Sequence, residues 1–293
     1  MQVVTSDRPA VRVVCVAYHP GVEELTAFAT SLRTATTADV ELVVVDNGAD
    51  QSVAAQVARE QGARLVVPGR NLGYGAAANL GTRGATQPWL VVANQDIVWH
   101  EGALDALLQA AADSGAGSAG PTLLNTDGTR YPSARALPSL RLGVGHALLV
   151  RVWPGNPWTR RYQEGADEAE AVRDGEPRAA GWLSGACLLL RRDAFEALGG
   201  FDEGYFMFFE DVDLGERLGR AGWLNLHVPA ARVTHVQGTS WKSRPAPMIR
   251  AHHASARRYL ARRYARWYQL PLRVALGLGL RLRERLELRR ASS

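Results

Sequence analysis

The sequence predicts an α/β protein with a Rossmann-like, mostly parallel sheet and helices on both faces. Between residues 11 and 112, short β-branched runs alternate with segments whose apolar residues have helical spacing. A β-α-β alternation of this kind calls for parallel strands joined by crossover helices. From Arg250 onward the chain changes to a segment rich in arginine.

The alternating elements can be placed one by one. Each predicted strand is a short apolar run, and a helical segment follows it. Gly62 is expected to end the second helix, because glycine adopts the left-handed conformation that closes many helices. The predicted strands are 11–17, 42–45, 65–67 and 89–93, and the predicted helices are 23–32, 51–61, an alanine-rich helix entered through 71–79, and 104–112.

Three of the predicted strands end in polar clusters. The clusters are Tyr18-His19, Asp46-Asn47 and Asn94-Gln95-Asp96. Sheets of this class bind ligands beyond the carboxyl ends of their strands. Asp and Asn are also ordinary turn residues, so one cluster alone would mean little. Three clusters at equivalent positions favour one shared binding crevice.

Length and composition are those of a globular protein with a sizeable core. The chain has 293 residues, of which 46% are hydrophobic and 22% charged. Cys15 and Cys187 lie in apolar runs and are expected to be buried thiols rather than a disulfide or metal site. The start shows no secretory leader, and no run reaches the roughly 18 apolar residues of a membrane span. A cytoplasmic protein is expected.

The block after residue 180 returns to regular structure. A strand is predicted within 181–191 and a short helix at 194–198, with Asp193 as its candidate cap. Two further short strands are expected, one near Val228 and one at 233–236. Between 121 and 180 the periodicity weakens, and Pro, Gly, Arg and Trp become frequent. This region is either a lip that binds a substrate or a surface loop.

A cluster of acids begins a predicted helix at 210–221. On a helical wheel, one face carries Asp211 with Leu214, Leu218 and Ala221, and the other carries Asp213, Glu216 and Arg220. We therefore expect Asp211 to point inward beside Phe208, and Asp213 to face water. An inward carboxylate beside aromatic rings is a general-base candidate. The alternative is that the acids only complement the helix dipole.

The last segment, 250–293, interleaves arginines with Tyr, Trp and Leu, and much of the net charge of +5 lies there. This composition is typical of a basic amphipathic helix on an anionic membrane surface. The alternatives are a helix that docks on its own domain and a nucleic-acid contact. Nothing else in the chain suggests a nucleic-acid module, so no nucleic acid is expected as a partner.

The ordered motifs resemble those of inverting glycosyltransferases of family 2, which have a GT-A fold, and within them bacterial rhamnosyltransferases. The matching pieces cover most of residues 11–240. They are VRVVCVAYHP, VVVDNGAD, NLGYGAAANLG, VVANQDIVW, the stretch from Gly181 to Trp223, and THVQGTS. The resemblance implies one domain at 1–249, with a donor-nucleotide half at about 11–120 and an acceptor half at about 121–249.

The resemblance also implies a role for each site residue. Asp211 would be the general base, and Asp96 and His235 would hold Mg²⁺ or Mn²⁺ on the donor diphosphate. Asn94 stands where the family's metal motif has its first Asp, which weakens the expected metal affinity. The donor-binding residues would be Tyr18, Asp46, Asn47, Asn71, Gly73, Asn79 and Asn94, and the acceptor-side residues Trp182, Ser184, Gly185 and Glu210.

The expected reaction moves a sugar from a nucleotide-diphosphate donor, with dTDP-L-rhamnose suspected, to a glycan or polyprenyl-diphosphate-linked acceptor. It would serve cell-wall or surface polysaccharide synthesis at the inner face of the cell membrane. Two alternatives stay open. Asn94 is compatible with a nucleotide-sugar-binding module without transfer activity. A sugar nucleotidyltransferase would need a basic, Gly-rich loop after the first strand, which Tyr18-His19-Pro20-Gly21 does not provide.

Overall fold

The fold is built on one mixed β-sheet with helices on both faces, which confirms the predicted α/β class. A computed structural model describes residues 9–138, 175–236 and 245–292. Most of the irregular region predicted at 121–180, including its Trp-Pro-rich part, lies outside these residues, as does the end of the THVQGTS motif.

The predicted elements occur in the predicted order, and the structure adds five strands that the sequence analysis did not predict, at Ile97–Trp99, Ser118–Leu124, Arg130–Tyr131, Ala134–Arg135 and Arg178–Ala180. The strands are β1 Ala10–Ala17, β2 Asp39–Asp46, β3 Arg64–Val66, β4 Trp89–Asn94, β5 Ile97–Trp99, β6 Ser118–Leu124, β7 Arg130–Tyr131, β8 Ala134–Arg135, β9 Arg178–Ala180, β10 Trp182–Leu183, β11 Cys187–Arg191 and β12 Asn225–His235. The helices are α1 Val22–Ala35, α2 Ser52–Gln61, α3 Tyr74–Thr82, α4 Ala103–Ser114, α5 Arg192–Ala197, α6 Glu210–Arg220, α7 Pro245–Arg263 and α8 Leu270–Ser292, with a 3₁₀ turn at Trp267–Gln269.

The main sheet has the strand order β3-β2-β1-β4-β11-β6-β12-β5. Its first four strands are all parallel, so their carboxyl ends lie at one edge. Strand β11 enters antiparallel between β4 and β6, and β12 then runs parallel to β6. The later half of the chain is therefore woven into the sheet beside the first half.

Strand β1 shows why both faces of the sheet are covered. Val11, Val13 and Cys15 pack into a core shared with α1, α2 and α4. Val14 and Val16 point the other way, into a core shared with α3, α5 and α6. Alternate side chains of a strand project to opposite faces, so a continuous apolar run requires two covering layers.

Two local predictions after residue 190 were wrong. The two strands expected near Val228 and at 233–236 are one strand, β12, whose register shifts between Val228 and Arg232. Pro229 lies in this interval and has no N–H for the ladder, so the strand bulges without ending. Helix α5 begins at Arg192, so Asp193 lies in its first turn rather than at its cap.

The C-terminal segment forms two helices that pack on the protein. Tyr259 of α7 is buried in a cluster with Tyr205 and Val212. Helix α8 packs against α7, and Arg257 lies 2.5 Å from Glu284 across the pair. Of the alternatives for this segment, α7 therefore docks on its own domain. The helix begins at Pro245, before the boundary expected at 249/250. No helix among the described residues is long and apolar enough to cross a membrane.

Candidate active site

The polar ends of β1, β2 and β4 lie side by side at one edge of the sheet. In the strand register, Ala17 stands opposite Asp46, and Val16 stands opposite Asn94. Gln95, a member of the predicted Asn94-Gln95-Asp96 cluster with no predicted role of its own, joins these ends. Its Oε1 accepts the backbone N–H of Tyr18 at 2.6 Å, and its Nε2 donates to Glu24 at 2.6 Å.

Asp46 is fully buried at this edge. Its Oδ1 accepts the N–H of Gly48 at 2.8 Å. Its Oδ2 has no hydrogen-bond partner among the described residues. Burial raises the pKa of Asp46, because the ionised carboxylate is deprived of water. A buried carboxylate oxygen of this kind suits a ligand that brings a hydroxyl or imino N–H.

Asn47 fixes the loop before α3. Its Nδ2 donates to the carbonyl of Gly73 at 3.0 Å, and its Oδ1 accepts the N–H of Leu72 at 3.2 Å. Asn71 accepts the N–H of Gly73 at 2.9 Å. Gly73 has φ +84°, and a Cβ there would overlap the carbonyl oxygen of Phe206. The loop therefore joins the strand-end edge to the segment that precedes α6.

Asn79 lies on α3, but its amide contacts protein main chain. Its Nδ2 donates to the carbonyl of Phe201 at 2.9 Å, and its Oδ1 accepts the N–H of the same residue at 2.9 Å. The side chain thus holds the loop after α5 against α3. A nucleotide contact by Asn79 would have to replace these bonds, so that role stays a prediction.

Asn94, Asp96 and His235 meet between the end of β4 and the end of β12. His235 Nε2 lies 3.2 Å from Asp96 Oδ1 and 3.3 Å from Asn94 Nδ2. The pairing of β12 with β5 places His235 opposite Ile97, and the N–H of Val236 donates to the Asp96 carbonyl at 2.8 Å. The structure therefore brings the two predicted metal ligands together.

This donor set is small for a metal centre. The described residues contain no group of three His, Cys, Asp or Glu side chains that could hold an ion. One carboxylate, one imidazole and one amide oxygen still fit a Mg²⁺ or Mn²⁺ ion that takes its other ligands from a diphosphate and water. His235 Nδ1 is buried without a hydrogen-bond partner in the described part of the chain.

Asp211 lies in the first turn of α6, facing the segment between β10 and β11. Its Oδ2 accepts the N–H of Gly185 at 3.0 Å, and its Oδ1 accepts the N–H of Val212 at 2.8 Å. The next residue after Gly185, Ala186, accepts the N–H of Asn94 at 3.0 Å. Backbone bonds therefore connect the candidate base to the end of β4.

The other predicted acceptor-side residues shape the same segment. The N–H of Ser184 donates to the carbonyl of Ser133 at 2.8 Å. Trp182 donates from Nε1 to the Ala136 carbonyl at 3.1 Å, and the guanidinium carbon of Arg135 lies 5.7 Å from its ring centre. Trp182 packs so closely on Gly215 of α6 that a Cβ there would lie 2.7 Å from the Trp182 Cβ and 2.9 Å from its Cα.

Glu210 is buried next to Asp211. Burial, reinforced by the charge of Asp211, raises the pKa of Glu210 to about 8. Burial also raises the pKa of Asp211, but the N–H groups of Gly185 and Val212 stabilise its ionised form. Glu210 Oε2 has no partner among the described residues. Two backbone N–H groups therefore support the ionised form of Asp211, whereas no donor among the described residues supports an ionised Glu210 Oε2.

The prediction that Asp213 faces water was wrong. Asp213 is 5% exposed and lies 2.6 Å from Arg217. Glu216 pairs with Arg220 at 2.6 Å as predicted, but it is also buried, and Arg263 of α7 approaches it to 2.7 Å. The helical wheel assumes that a helix has one buried face. In the structure α7 covers the second face of α6, and its arginines pair with the acidic side chains there.

Two aromatic residues before α6 have an unusual backbone conformation. Phe208 and Phe209 both have φ +68°. Bulky residues rarely adopt this left-handed conformation, and each instance costs about 1–3 kcal/mol. The strain is located directly before Glu210 and Asp211, which is where a functional site would concentrate it.

The chain belongs to glycosyltransferase family 2. The model of the family described as "Glycosyltransferase like family 2" matches residues 8–268. The protein is therefore a glycosyltransferase, as predicted, and the alternatives of a nucleotidyltransferase or a non-catalytic binding module give way to it.

One similar protein is the N-acetylglucosaminyl-diphospho-decaprenol L-rhamnosyltransferase of Mycobacterium tuberculosis. The two are 46% identical over 290 residues, which covers 94% of this chain and 92% of that protein. Rhamnosyltransferase WbbL of Escherichia coli is 40% identical over 82 residues, covering 28% of this chain and 31% of that one.

Two solved structures share the fold. GalNAc-T7 with UDP, GalNAc and Mn²⁺ has a TM-score of 0.58 at 15% identity, over 79% of this chain and 44% of that one. The mannosyltransferase PcManGT from Pyrobaculum calidifontis, in complex with GDP-Man and Mn²⁺, has a TM-score of 0.54 at 20% identity, over 86% and 65%. These neighbours confirm the predicted GT-A fold.

Proposed function

We propose that this enzyme transfers L-rhamnose, with inversion, from a nucleotide-diphosphate donor to a polyprenyl-diphosphate-linked N-acetylglucosamine in cell-wall glycan synthesis. The observation that carries this proposal is the 46% identity over nearly the whole length of both chains with the mycobacterial rhamnosyltransferase. The proposed donor is dTDP-L-rhamnose. The site is compatible with this chemistry because it offers the Asp211 carboxylate, held by two backbone N–H groups, beside a strand-end crevice.

In the proposed reaction Asp211 accepts the proton of an acceptor hydroxyl. The hydroxyl oxygen forms a bond to the anomeric carbon, and the bond from that carbon to the diphosphate oxygen breaks on the opposite side. Its electron pair leaves with the nucleotide diphosphate. The N–H groups of Gly185 and Val212 orient the Asp211 carboxylate. A positioned base of this kind contributes typically 10²–10⁴-fold to a rate.

The strand-end crevice would hold the donor. Tyr18 and Asp46 would bind its nucleoside, with Asp46 Oδ2 as the free acceptor, and the loop held by Asn47 would lie along the diphosphate. Asp96 and His235, with Asn94 beside them, would hold Mg²⁺ or Mn²⁺. When bound, this ion would neutralise charge on the departing diphosphate.

The outer face of α8 would rest on an anionic membrane surface, where a polyprenyl-linked acceptor is found. An exposed apolar ridge runs along this face at a spacing of four residues, and Trp267 before the helix is 86% exposed. The ridge residues are Val274, Leu278, Leu282 and Leu286. Arg281, Arg285 and Arg289 follow the neighbouring ridge, so the same face offers both apolar and cationic contacts.

A transfer assay tests the proposed reaction. Purified enzyme with Mn²⁺ is given dTDP-L-rhamnose or other nucleotide sugars, with a short-chain polyprenyl-diphospho-N-acetylglucosamine as acceptor. We expect rhamnosyl product only from the rhamnose donor, with loss of product after chelation. Transfer of a different sugar at a higher kcat/KM would overturn the donor assignment.

Vesicle binding tests the proposed membrane surface. The Leu278→Gln/Leu282→Gln variant is expected to bind vesicles of anionic phosphatidylglycerol at least tenfold more weakly, since each buried leucine contributes about 1.5–3 kcal/mol. Val22→Gln, at an exposed apolar residue of α1, is the matched control and should bind normally. Equal binding of both variants would place the membrane contact elsewhere.

A further inference from the structure

Helix α7 contacts the segment that leads into the candidate base. Ser255 donates from its hydroxyl to the carbonyl of Met207 at 2.7 Å. The ring centre of His252 lies 5.5 Å from that of Phe208 and 5.5 Å from that of Phe209. One turn of α7 therefore contacts all three residues that precede Glu210.

A second turn of α7 packs on the same segment through Tyr259. The ring of Tyr259 lies 5.6 Å from the ring of Phe209. Tyr259 is 2% exposed and forms a buried cluster with Tyr205 and Val212, which are located on either side of the aromatic segment. Val212 also donates its N–H to Asp211, so one hydrogen bond connects this buried cluster to the candidate base.

Ion pairs fix the position of α7 relative to this segment. Arg258 contacts Asp202 at 2.8 Å, Arg262 pairs with the same carboxylate, and Arg263 lies 2.7 Å from Glu216. Asp202 precedes the aromatic segment, and Glu216 lies in α6 after it. The helix is thus attached on both sides of the strained step at Phe208 and Phe209.

The strained step needs such support. Two successive bulky residues at φ +68° are less stable than an ordinary turn, so the surrounding contacts must keep them there. The hydrogen bond to Met207 and the rings of His252 and Tyr259 are contacts of this kind. Without them the segment can relax to negative φ, which would rotate the start of α6 and move Asp211.

We propose that α7 is a positioning element of the active site, in which Ser255, His252 and Tyr259 hold the Phe208-Phe209 step and thereby aim the Asp211 carboxylate. This inference rests on the proposed role of Asp211. It gives the C-terminal helix α7 an indirect role in catalysis, through the position of Asp211. The residues of α7 named here contact residues 207–209 and act through them, so they are positioning residues.

The test compares Ser255→Ala and His252→Ala/Ser255→Ala with the parent enzyme. We expect kcat to fall about fivefold for the single variant, the effect of one lost hydrogen bond, and further for the double variant. The KM for the donor should stay within about twofold, because the donor crevice is untouched. Amide hydrogen exchange in residues 206–212 should accelerate in both variants.

Two further variants separate positioning from general damage. Ser255→Thr keeps the hydroxyl and should restore both kcat and exchange protection. Ala254→Ser alters the exposed side of the same turn and should change neither. Unchanged kcat in the double variant, or unchanged exchange in residues 206–212, would overturn the proposal. Failure of the parent enzyme to transfer rhamnose would contradict only the donor assignment. Amide hydrogen exchange would still report on how α7 holds the Phe208-Phe209 step, and turnover could be measured with the donor that the enzyme accepts.

Discussion

The two sides of the active site are held together in different ways. On the donor side, Tyr18, Asp46 and Asn94 take their places from the register of three parallel strands. On the base side, Asp211 depends on a backbone bond from Gly185 and on a strained step at residues 208–209. The donor side is a product of sheet geometry, whereas the base side is held by tertiary contacts.

This difference suggests how the two sides respond to change. A parallel sheet places the ends of its strands whatever their side chains are, so substitutions on the donor side should act locally through binding. On the base side, contacts from α7 and from the segment between β10 and β11 converge on the first turn of α6, so distant substitutions should affect the chemistry. The following predictions test that contrast, beginning with the largest effect.

Asp211→Asn removes the base and should have the largest effect. We expect kcat to fall by about 10²–10⁴-fold with little change in donor affinity, because the amide cannot accept the acceptor proton. Transfer kinetics and donor calorimetry measure the two quantities. Asp213→Asn is the matched control on the same helix. It should destabilise the fold by loosening the Arg217 pair, yet keep most of kcat. Normal turnover of Asp211→Asn would disprove the base assignment.

Gly73→Ala disturbs the junction between the two sides and should rank second. The new Cβ would meet the Phe206 carbonyl at a residue whose φ is +84°. We expect about 3 kcal/mol of lost stability in urea unfolding, and a loss of transfer that exceeds tenfold. Gly62→Ala has a similar φ of +69° with nothing within 4 Å, so it should cost only about 1–2 kcal/mol and spare transfer. Equal effects of both variants would contradict a role for the junction.

The same contrast explains what sequence alone could predict. The strand-end clusters could be predicted because the pattern of a strand shows where it ends. The helical wheel singled out Asp211, whose role as the base stays a prediction. The partner of Asn79 lies 122 residues away, at Phe201, and no local pattern reports it. The burial of Asp213 and Glu216 was missed for the same reason, since it depends on α7. Gln95 was placed in a strand-end cluster without a role, because its bond to Tyr18 arises only when β1 and β4 pair.

Asn94→Asp should have a moderate effect and should raise the affinity of the donor side for the metal ion. The second carboxylate beside Asp96 would strengthen binding of a hard cation. We expect the Mn²⁺ concentration for half-maximal transfer to fall about tenfold, which corresponds to about 1.4 kcal/mol. Titration of transfer with Mn²⁺ gives this value, and the Mn²⁺-induced rise in Tm provides a readout without turnover. Gln61→Glu, at the last residue of α2 and beside Arg33, adds one carboxylate away from the crevice and should leave both unchanged. An unaltered Mn²⁺ requirement in Asn94→Asp would argue against a metal site at this strand end.

Glu210→Gln should change transfer least, because the amide mimics the neutral acid, and its effect should appear instead in the pH dependence of stability. The pKa of Glu210 is raised from 4.5 to about 8, so between these pH values the native state binds a proton that the unfolded state has released. Stability should therefore fall as pH rises through this window, with a slope of up to about 1.4 kcal/mol per pH unit from this group. Urea unfolding from pH 5 to pH 8 should show a flatter profile for the variant. The exposed Glu23→Gln change should keep the parent slope, and a parent slope in Glu210→Gln would show that Glu210 is ionised in the folded protein.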